Sequence, residues 1–522
     1  MTRPLLLSLI CLTACLASDI LAQEHQHGTP GAAALGTIDF PTSCAPAVRQ
    51  DFNRAVALLH SFEYDTAREE FTKIAAREPN CAMTRWGTAM TYFHGAWGEV
   101  DQENGAKEAA LAREVSGKNS ATTVREKQYI AAVSALYSNP SATVLDRSKA
   151  FSAEMAKAHD SNPQDDEASI FYALSLFVSA GRDKTYANQA KCGEILQPLF
   201  KKLPNHPGIA HYLIHCYDNP ALAERGLSAA RDYAKIAPDS AHATHMPSHI
   251  FVRLGLWPDT VQSNLASMDV ASREPGPCHG RDSQLHAMHF LQFAYLQLGQ
   301  QTEAEKVAEQ SLALPTSEGC GSGEYVGASY ALQAHDWAAV RRLNQDLKDD
   351  NLPNSQVIWT TIGVAAARTG DVKTAQKAAA ELANLRDIVM KKISASPNSP
   401  AEAARLEVEA WLAQAQGDSA KALEQMRRAD EIGGYPSWAE PVPAEHLGDL
   451  LMEQHKPTEA LAAYRKALEN TPNLFNALYG AAAAADAAGD HETARGYYGK
   501  LIEVAGKGDR AEVAVARKKL DH

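Results

Sequence analysis

The chain has 522 residues, of which 45% are hydrophobic and only 7% aromatic, and its formal net charge is −13. A chain of this length is too long for one compact core, and its alanine-rich stretches favour an elongated array of closely packed helices over several compact domains. The acidic balance lacks the basic surface that nucleic-acid binding needs, so no nucleic-acid partner is expected.

Residues 1–22 have the features of a secretory signal. One basic residue, Arg3, precedes an apolar run, and small residues follow, which is the order found in exported precursors. The run is too short to span a bilayer, and no other apolar stretch is long enough, so no integral membrane span is expected. Two processing alternatives remain, cleavage after Ala22, which we favour, and lipidation of Cys15. Either predicts a periplasmic or secreted protein.

Residues 23–45 are predicted to be a flexible N-terminal segment, because Gly, Pro and Ala dominate its first part. Six cysteines follow the signal, an even number that fits three disulfides in an exported protein. Neighbours in sequence form the pairs Cys44 with Cys81, Cys192 with Cys216, and Cys278 with Cys320. Many connectivities remain open, and Cys44–Cys81 is the one bridge that we predict. It would fasten the segment before the first repeat to the second repeat.

A pattern of small, aromatic and proline residues recurs with a period of about 34 residues. A first copy contains Ala55, Ala67, Phe71 and Pro79, and a late copy contains Leu447, Gly448, Ala460, Tyr464, Ala467 and Pro472. This period is typical of paired helices, A and B, that approach closely through small residues. Because each pair buries its apolar face only by stacking on the next, the sequence predicts an all-α solenoid of the tetratricopeptide (TPR) type.

The predicted array has two parts. Residues 46–330 form TPR-like repeats with a histidine-rich groove, interrupted by an insertion near 95–161 that has helices of its own, and residues 331–522 form C-terminal TPR repeats. Repeats of this kind contact mainly their neighbours. The histidine region is therefore expected to fold without the residues from about Pro443 onward.

Histidines recur in register with the repeats. Three pairs are separated by 34 residues: His60 and His94, His211 and His245, His215 and His249. A second offset, of 44 residues, relates His242 and His245 to His286 and His289. Within each helix the spacings place the histidines on one face. Since these helices are predicted A helices, the imidazoles are expected to face the concave groove, although Pro247 should kink one of them.

Neutral imidazoles with a nearby carboxylate are ligands that suit copper, iron or zinc. We therefore predict a transition-metal site of unknown metal identity. Its expected core is His211, His215, His245 and His249, and its expected supporting residues are His242, His286, His289 and Asp218. His60 and His94 are further candidate ligands, with hydrogen bonding in the core as their alternative role. Asp218, Glu63 and Glu99 are the candidate catalytic bases.

Several short segments resemble a group of bacterial secreted TPR-repeat proteins. They are Leu59-His60-Ser61-Phe62, Cys81-Ala82-Met83, Trp86-Gly87, His211-Tyr212-Leu213-Ile214-His215 and His245-Met246-Pro247-Ser248-His249. The resemblance covers most of the mature chain and implies export and an α-solenoid whose groove binds peptides. It implies no particular activity.

Three function classes follow from these patterns. The first is a metal-dependent enzyme acting on a small-molecule substrate, with oxidation favoured over hydrolysis because few carboxylates accompany the histidines. The second is a metal-binding or metal-delivery protein without turnover. The third is a scaffold that binds a peptide or protein partner in its groove. Whether the protein is an enzyme stays open at this point.

Overall fold

The computed structural model describes residues 34–181, 183–273, 278–315, 320–343, 352–393, 399–433 and 442–521. Within these ranges the regular structure is helical except for one two-stranded hairpin. The predicted signal, residues 1–22, lies outside the described residues, as do residues 23–33.

The first part of the chain forms helices of one to five turns and the hairpin. Its elements are α1 (Arg49–His60), α2 (Tyr64–Arg77), α3 (Ala82–Met90), β1 (Phe93–His94), β2 (Glu99–Val100), α4 (Gln102–Lys118), α5 (Val124–Tyr137), α6 (Val144–Ser161), α7 (Asp166–Val178), α8 (Ala187–Lys202), α9 (Pro207–Tyr217), α10 (Ala223–Ile236), α11 (Ala241–His245), α12 (Pro247–Arg253) and α13 (Trp257–Ala271). A short 3₁₀ helix, Pro46–Val48, leads into α1.

The second part of the chain is also a series of consecutive helices. Its helices are α14 (His279–Gln297), α15 (Gln301–Ala313), α16 (Glu324–Gln333), α17 (Leu352–Arg368), α18 (Val372–Ile393), α19 (Pro400–Ala415), α20 (Ser419–Ile432), α21 (Pro443–Glu453), α22 (Pro457–Asn470), α23 (Phe475–Ala487), α24 (His491–Ala505) and α25 (Ala511–Leu520), with a 3₁₀ helix at Ala339–Arg342. Each helix packs against the next along the chain. The prediction of an all-α TPR solenoid is confirmed.

Small residues at the repeat positions allow this close packing. A Cβ on Gly448 or Gly480 would lie 2.5 Å or less from the ring of Tyr464, which packs between them. A Cβ on Gly87 would meet the ring of Phe71 in the same way. The aromatic residue of each pattern therefore fills the space that glycine leaves in a neighbouring helix.

The predicted insertion near 95–161 contributes the hairpin and helices α4, α5 and α6. Their starts follow from side-chain capping, since Asp101 and Thr143 accept hydrogen bonds from backbone N–H groups in the first turns of α4 and α6. Thr123 and Glu126 form a capping box at the start of α5. These helices pack consecutively between α3 and α7, so the helical array continues through this segment.

The described end of the segment predicted to be flexible packs against the first repeats. Leu35, Ile38 and Phe40 are buried, and the ring of Phe40 lies 5.2–6.5 Å from four aromatic rings of the neighbouring helices. The backbone N–H of Thr37 also donates to the carbonyl of Asn205. Burial of these apolar side chains holds residues 35–45 in place, which differs from the flexibility expected there.

Three disulfides join the cysteines that are neighbours in sequence. The predicted Cys44–Cys81 bridge is present and fastens the N-terminal segment to the start of α3. The others are Cys192–Cys216 and Cys278–Cys320. Cys192–Cys216 fastens α8 to α9 directly beside the histidines of α9.

The C-terminal repeats contact the central part of the chain, which the neighbour-only expectation for a solenoid did not include. The indole N–H of Trp257 donates to the carbonyl of Asn473 at 2.9 Å, and the backbone N–H of Phe475 donates to Gln297 at 2.8 Å. One cluster of buried side chains extends from Val252 to Ala516. Solenoid curvature thus brings repeats together that are more than two hundred residues apart in sequence.

No helix in the described part of the chain is both long and apolar enough to cross a membrane.

Candidate metal centre

Three helical segments bring the histidines together. One is α9, which carries His211 and His215, and another is α14, which carries His286. Between them the chain forms α11 and α12, separated at Met246 because Pro247 has no backbone N–H to continue the ladder of hydrogen bonds. The predicted kink at Pro247 is therefore a break between two helices.

The start of α11 is held by a buried hydrogen-bond network. The Ser240 side chain accepts from the backbone N–H of Ala243 and donates to Glu63 at 2.7 Å. Glu63 thus connects α11 to the first repeat. This contact gives Glu63 a structural role at the helix carrying His242.

The histidines form two clusters of three. The upstream cluster consists of His211, His215 and His242, and the downstream cluster consists of His245, His249 and His286. In each cluster one nitrogen from every ring lies within 4.8 Å of the others. The clusters are adjacent, since the ring centroids of His215 and His249 are 6.4 Å apart.

Nitrogen atoms of the upstream cluster converge on His211. Its Nε2 lies 3.0 Å from Nε2 of His242 and 3.0 Å from Nε2 of His215. On the other side of the ring, Nδ1 is 2.6 Å from the backbone carbonyl oxygen of His60. A carbonyl oxygen only accepts, so Nδ1 carries the proton and the neutral ring directs an Nε2 lone pair into the cluster.

Two rings of the downstream cluster are also held by an acceptor at Nδ1. Nδ1 of His249 donates to Asp218 at 3.0 Å, and Nδ1 of His245 donates to the side-chain oxygen of Asn264 at 2.7 Å. The amide of Asn264 is oriented by its own donation to the carbonyl of Thr260. Both rings therefore direct Nε2 into the cluster, and these two nitrogens are 3.1 Å apart.

Burial and the neighbouring histidines hold the pKa of His245 well below its ordinary value, so its Nε2 offers a lone pair to the space between the two rings. A metal ion in that space would accept this lone pair. Nitrogens bound to one ion at about 2.0–2.1 Å in tetrahedral geometry are about 3.3 Å apart. The observed 3.0–3.1 Å separations are close to that spacing.

Burial also keeps other rings of the two clusters neutral at physiological pH. Desolvation, with the neighbouring histidines, lowers the pKa of His211 and of His215 well below the usual range, and lowers that of His286 to about 3. Although burial alone would raise it, the pKa of Asp218 lies below its ordinary value because Arg253 and His249 interact with its carboxylate. Neutral imidazoles held by an ionised acceptor are the state in which histidine binds metal.

A third group, formed by His60, Glu167 and His206, is fully buried. Each ring is 3.0 Å from a different oxygen of the Glu167 carboxylate. Nδ1 of His60 lies 2.8 Å from the hydroxyl of Tyr212. Here N–H donors face an acceptor, so hydrogen bonding alone accounts for the geometry. His60 acts in the core and orients His211 through its backbone carbonyl.

The remaining predicted ligands lie outside these groups within the described residues. His94 stacks on Tyr64 with ring centroids 4.3 Å apart, and one of its nitrogens faces the carbonyl of Thr91. Its other nitrogen is 3.5 Å from the exposed carboxylate of Glu99 on β2. His289 lies 3.1 Å from the hydroxyl of Ser329.

Side chains that meet across neighbouring repeats are separated in sequence by about one helical turn less than the predicted 34 residues. The side chain nearest to His211 across the helices is His242, and the one nearest to His249 is Asp218, and both pairs are 31 residues apart. Residues three apart in sequence share a helix face. The prediction that the histidines lie on one face of each helix is therefore compatible with pairs 31 residues apart. One rectangle of four histidines was expected, whereas the structure contains two triangles.

Aromatic rings surround the histidines. Phe62 lies 4.4 Å from His211 and 5.5 Å from His215, measured between ring centroids. Phe290 lies 4.7 Å from His245 and 5.0 Å from His249. These contacts were not predicted, although Phe62 and Phe290 adjoin histidine positions in sequence. The apolar walls strengthen electrostatic interactions inside the clusters by excluding water.

No protein-family model matches the sequence, and no curated protein matches it either. Among solved structures, the APC/C hetero-tetramer Cut9–Hcn1 is 12% identical over 91% of this chain and 83% of that chain, with a TM-score of 0.43. Yeast Tom70 is 11% identical over 90% of this chain and 94% of that chain, with a TM-score of 0.34. These likenesses are distant, and the interpretation of the histidines depends on their own geometry.

Proposed function

We propose that the two histidine clusters bind two transition-metal ions and that the protein is an exported metal-binding solenoid. The observation that carries this proposal is the pair of inward-facing Nε2 atoms of His245 and His249, 3.1 Å apart, with both Nδ1 atoms committed to acceptors. One bound metal ion could accept both nitrogens. The upstream cluster offers a matching set of three imidazoles.

Copper is the proposed metal. Each cluster supplies imidazole nitrogens alone, a ligand type that suits copper and zinc and disfavours magnesium, calcium and manganese. Among divalent ions of the first transition row, copper binds nitrogen ligands most tightly. Three protein ligands leave a coordination position open for another molecule.

Redox chemistry with dioxygen is the proposed activity, because paired copper ions can exchange electrons with it. The protein's own part is to hold the imidazoles neutral, orient them through His60, Asn264 and Asp218, and exclude water with aromatic rings. At least one ring of each cluster is only partly buried: His215 and His242 upstream, and His286 downstream. This exposure supports access of a small-molecule substrate, whose identity the site does not specify.

Metal analysis of the purified, chelated and copper-reloaded protein tests the proposal. We expect about two copper ions per chain, about one in His215→Ala, about one in His249→Ala, and none in the double variant. His491→Ala is the matched control, because its side chain is 75% exposed and lies in a C-terminal repeat. Helicity should not change. Parent-like copper content in the double variant would refute the centre.

Export of the mature chain is part of the proposal. The three disulfides support an oxidising compartment, and the signal-like residues 1–22 support translocation. Intact-mass measurement distinguishes a mature start at Gln23 from a lipidated Cys15.

Binding of a peptide or protein partner is the second proposed function. The TPR-type helix pairs support it, because stacked repeats of this kind form extended concave surfaces. Trp97 on the hairpin turn is 47% exposed and offers an apolar contact beside the histidines. Zero metal after reloading would leave this function as the better explanation of the chain.

A further inference from the structure

An apolar cavity adjoins the upstream cluster. Its walls include Leu59, Met90, Phe93, Phe171 and Leu174, and its volume is about 20 Å³. One water needs about 10–15 Å³, and a cavity with apolar walls stays dry. The space therefore suits an apolar molecule of two or three atoms better than water.

Two rings line the cavity and also contact the upstream cluster. Phe62 lines the cavity, and its ring contacts all three histidines of the upstream cluster, at centroid distances of 4.4–5.8 Å. Tyr212 also lines the cavity, and its ring centroid lies 5.4 Å from that of His211. The cavity and the cluster therefore share these two rings as a wall.

The backbone of Phe62 is held in an unfavourable conformation. Its φ is +59°, in the left-handed region, and it follows the end of α1 where the N–H of Glu63 donates to the carbonyl of Leu58. Glycine is the usual residue at this position of a helix end, and a bulky residue there costs about 1–2 kcal/mol. The same left-handed conformation occurs at His335 and His455, at the ends of α16 and α21, so it belongs to the helix ends of the repeats.

The other end of the cavity approaches the surface at the hairpin. Gly95 and Ala96 in the turn between β1 and β2 line it and are partly exposed, whereas Phe171 at the inner wall is 1% exposed. A Cβ on Gly95 would come within 2.6 Å of the ring of Phe93. Glycine at this position thus lets the Phe93 ring pack against the turn, beside the partly exposed Ala96.

We propose that this cavity is a binding chamber for dioxygen, entered at the hairpin turn and separated from the upstream cluster by Phe62 and Tyr212. The inference rests on the proposed function for its use, because dioxygen matters only if the clusters hold a redox metal. The chamber itself is independent of metal. Its apolar walls favour an uncharged diatomic molecule over water or ions.

Xenon binding to the metal-free protein tests the chamber. Xenon is an apolar sphere that occupies dry cavities, and crystals of the full mature chain under xenon pressure should contain an atom between Phe62 and Ala96. Ala96→Leu should fill the space and abolish that peak. Ala121→Leu, the same change at an exposed position, should retain it. Absence of xenon from this cavity in the parent would overturn the proposal.

Reoxidation kinetics test the use of the chamber. The copper-loaded, chemically reduced protein should react with dioxygen at least fivefold more slowly in Ala96→Leu than in Ala121→Leu, at equal copper content. Leu174→Phe, on another wall, should slow the reaction in the same direction and guards against a folding defect of the first variant. Equal rates would overturn dioxygen delivery. If the protein binds xenon but takes up no copper, the proposed metal function and the delivery role are both refuted. The cavity would then remain a gas-binding site.

Discussion

Asp218 supports the downstream cluster from outside, and its replacement by asparagine should weaken both metal binding and folding. One carboxylate oxygen accepts from Nδ1 of His249 at 3.0 Å, and the other accepts from Nε of Arg253 at 2.8 Å. Both side chains of the ion pair are at most 10% exposed. Asparagine offers one acceptor oxygen, so one of the two donors must face its NH₂ group.

Two magnitudes follow from this geometry. Loss of the acceptor behind a ligating histidine weakens metal binding about 10–100-fold, which corresponds to about 1.4–2.7 kcal/mol. Removal of the anionic partner from the buried Arg253 guanidinium costs about 3–5 kcal/mol of folding free energy. Since asparagine retains one acceptor, we expect a loss near the lower end of that range. The two effects are separable because the second needs no metal.

Urea denaturation of the metal-free protein measures the stability change, and competition with a copper chelator measures the affinity. Asp269→Asn is the matched control, because Asp269 pairs with Arg273 at 2.8 Å but both side chains are more than 60% exposed. An exposed pair contributes at most about 1 kcal/mol. Copper affinity within twofold of the parent for Asp218→Asn would refute the orienting role, and a stability loss below 1 kcal/mol would refute the buried ion pair.

Three further predictions concern the fold. Truncation before Pro443 should lower the thermal midpoint of the remaining chain, seen by circular dichroism, because it removes the hydrogen bond from Trp257 and the packing around it; an unchanged midpoint would contradict these contacts. Burial acts to lower the pKa of His446, but its hydrogen bond to Glu407 and nearby carboxylates raise it to about 9. Protonated His446 therefore stabilises the fold fully below about pH 6.5, and this stabilisation is lost as the pH rises to 9. The free energy of unfolding, measured with urea, should fall less steeply over that range in His446→Gln, by up to about 1.4 kcal/mol per pH unit. An identical slope in the parent and the variant would refute this role. Replacement of Cys44 and Cys81 by serine should cost about 2–4 kcal/mol, and free thiols at both positions in a non-reducing peptide map of the parent would contradict the bridge.

Repeat periodicity predicted the fold because the relevant interactions are local. Each 34-residue unit specifies two amphipathic helices and the small residues between them, and Gly448 and Tyr464 are found in the predicted contact. The same locality explains what the pattern could not predict. Contacts such as Trp257 with Asn473 depend on the accumulated curvature of many repeats, and each repeat alone carries no signal for them.

The candidate ligands were predicted by spacing, but their grouping was not. Spacing along a helix specifies a face, and it does not specify the offset between neighbouring helices to better than one turn. The closest pairs between α9 and the α11–α12 segment are 31 residues apart, so His242 belongs with His211 although the sequence placed it in a supporting role. The orienting contact from the carbonyl of His60 is a backbone interaction that no sequence pattern identifies.

The break at Pro247 explains how one segment of chain serves both clusters. In an unbroken helix His242 and His249 would share a face, with their Cα atoms about 10 Å apart along the axis. In the structure α11 contacts α14, and α12 contacts α9. The break at Met246 then frees α12 from the direction of α11. His249 can therefore meet Asp218 from the preceding repeat, while His245 keeps Asn264 from the following helix. The segment from His242 to His249 therefore supplies one histidine to the upstream cluster and two to the downstream cluster.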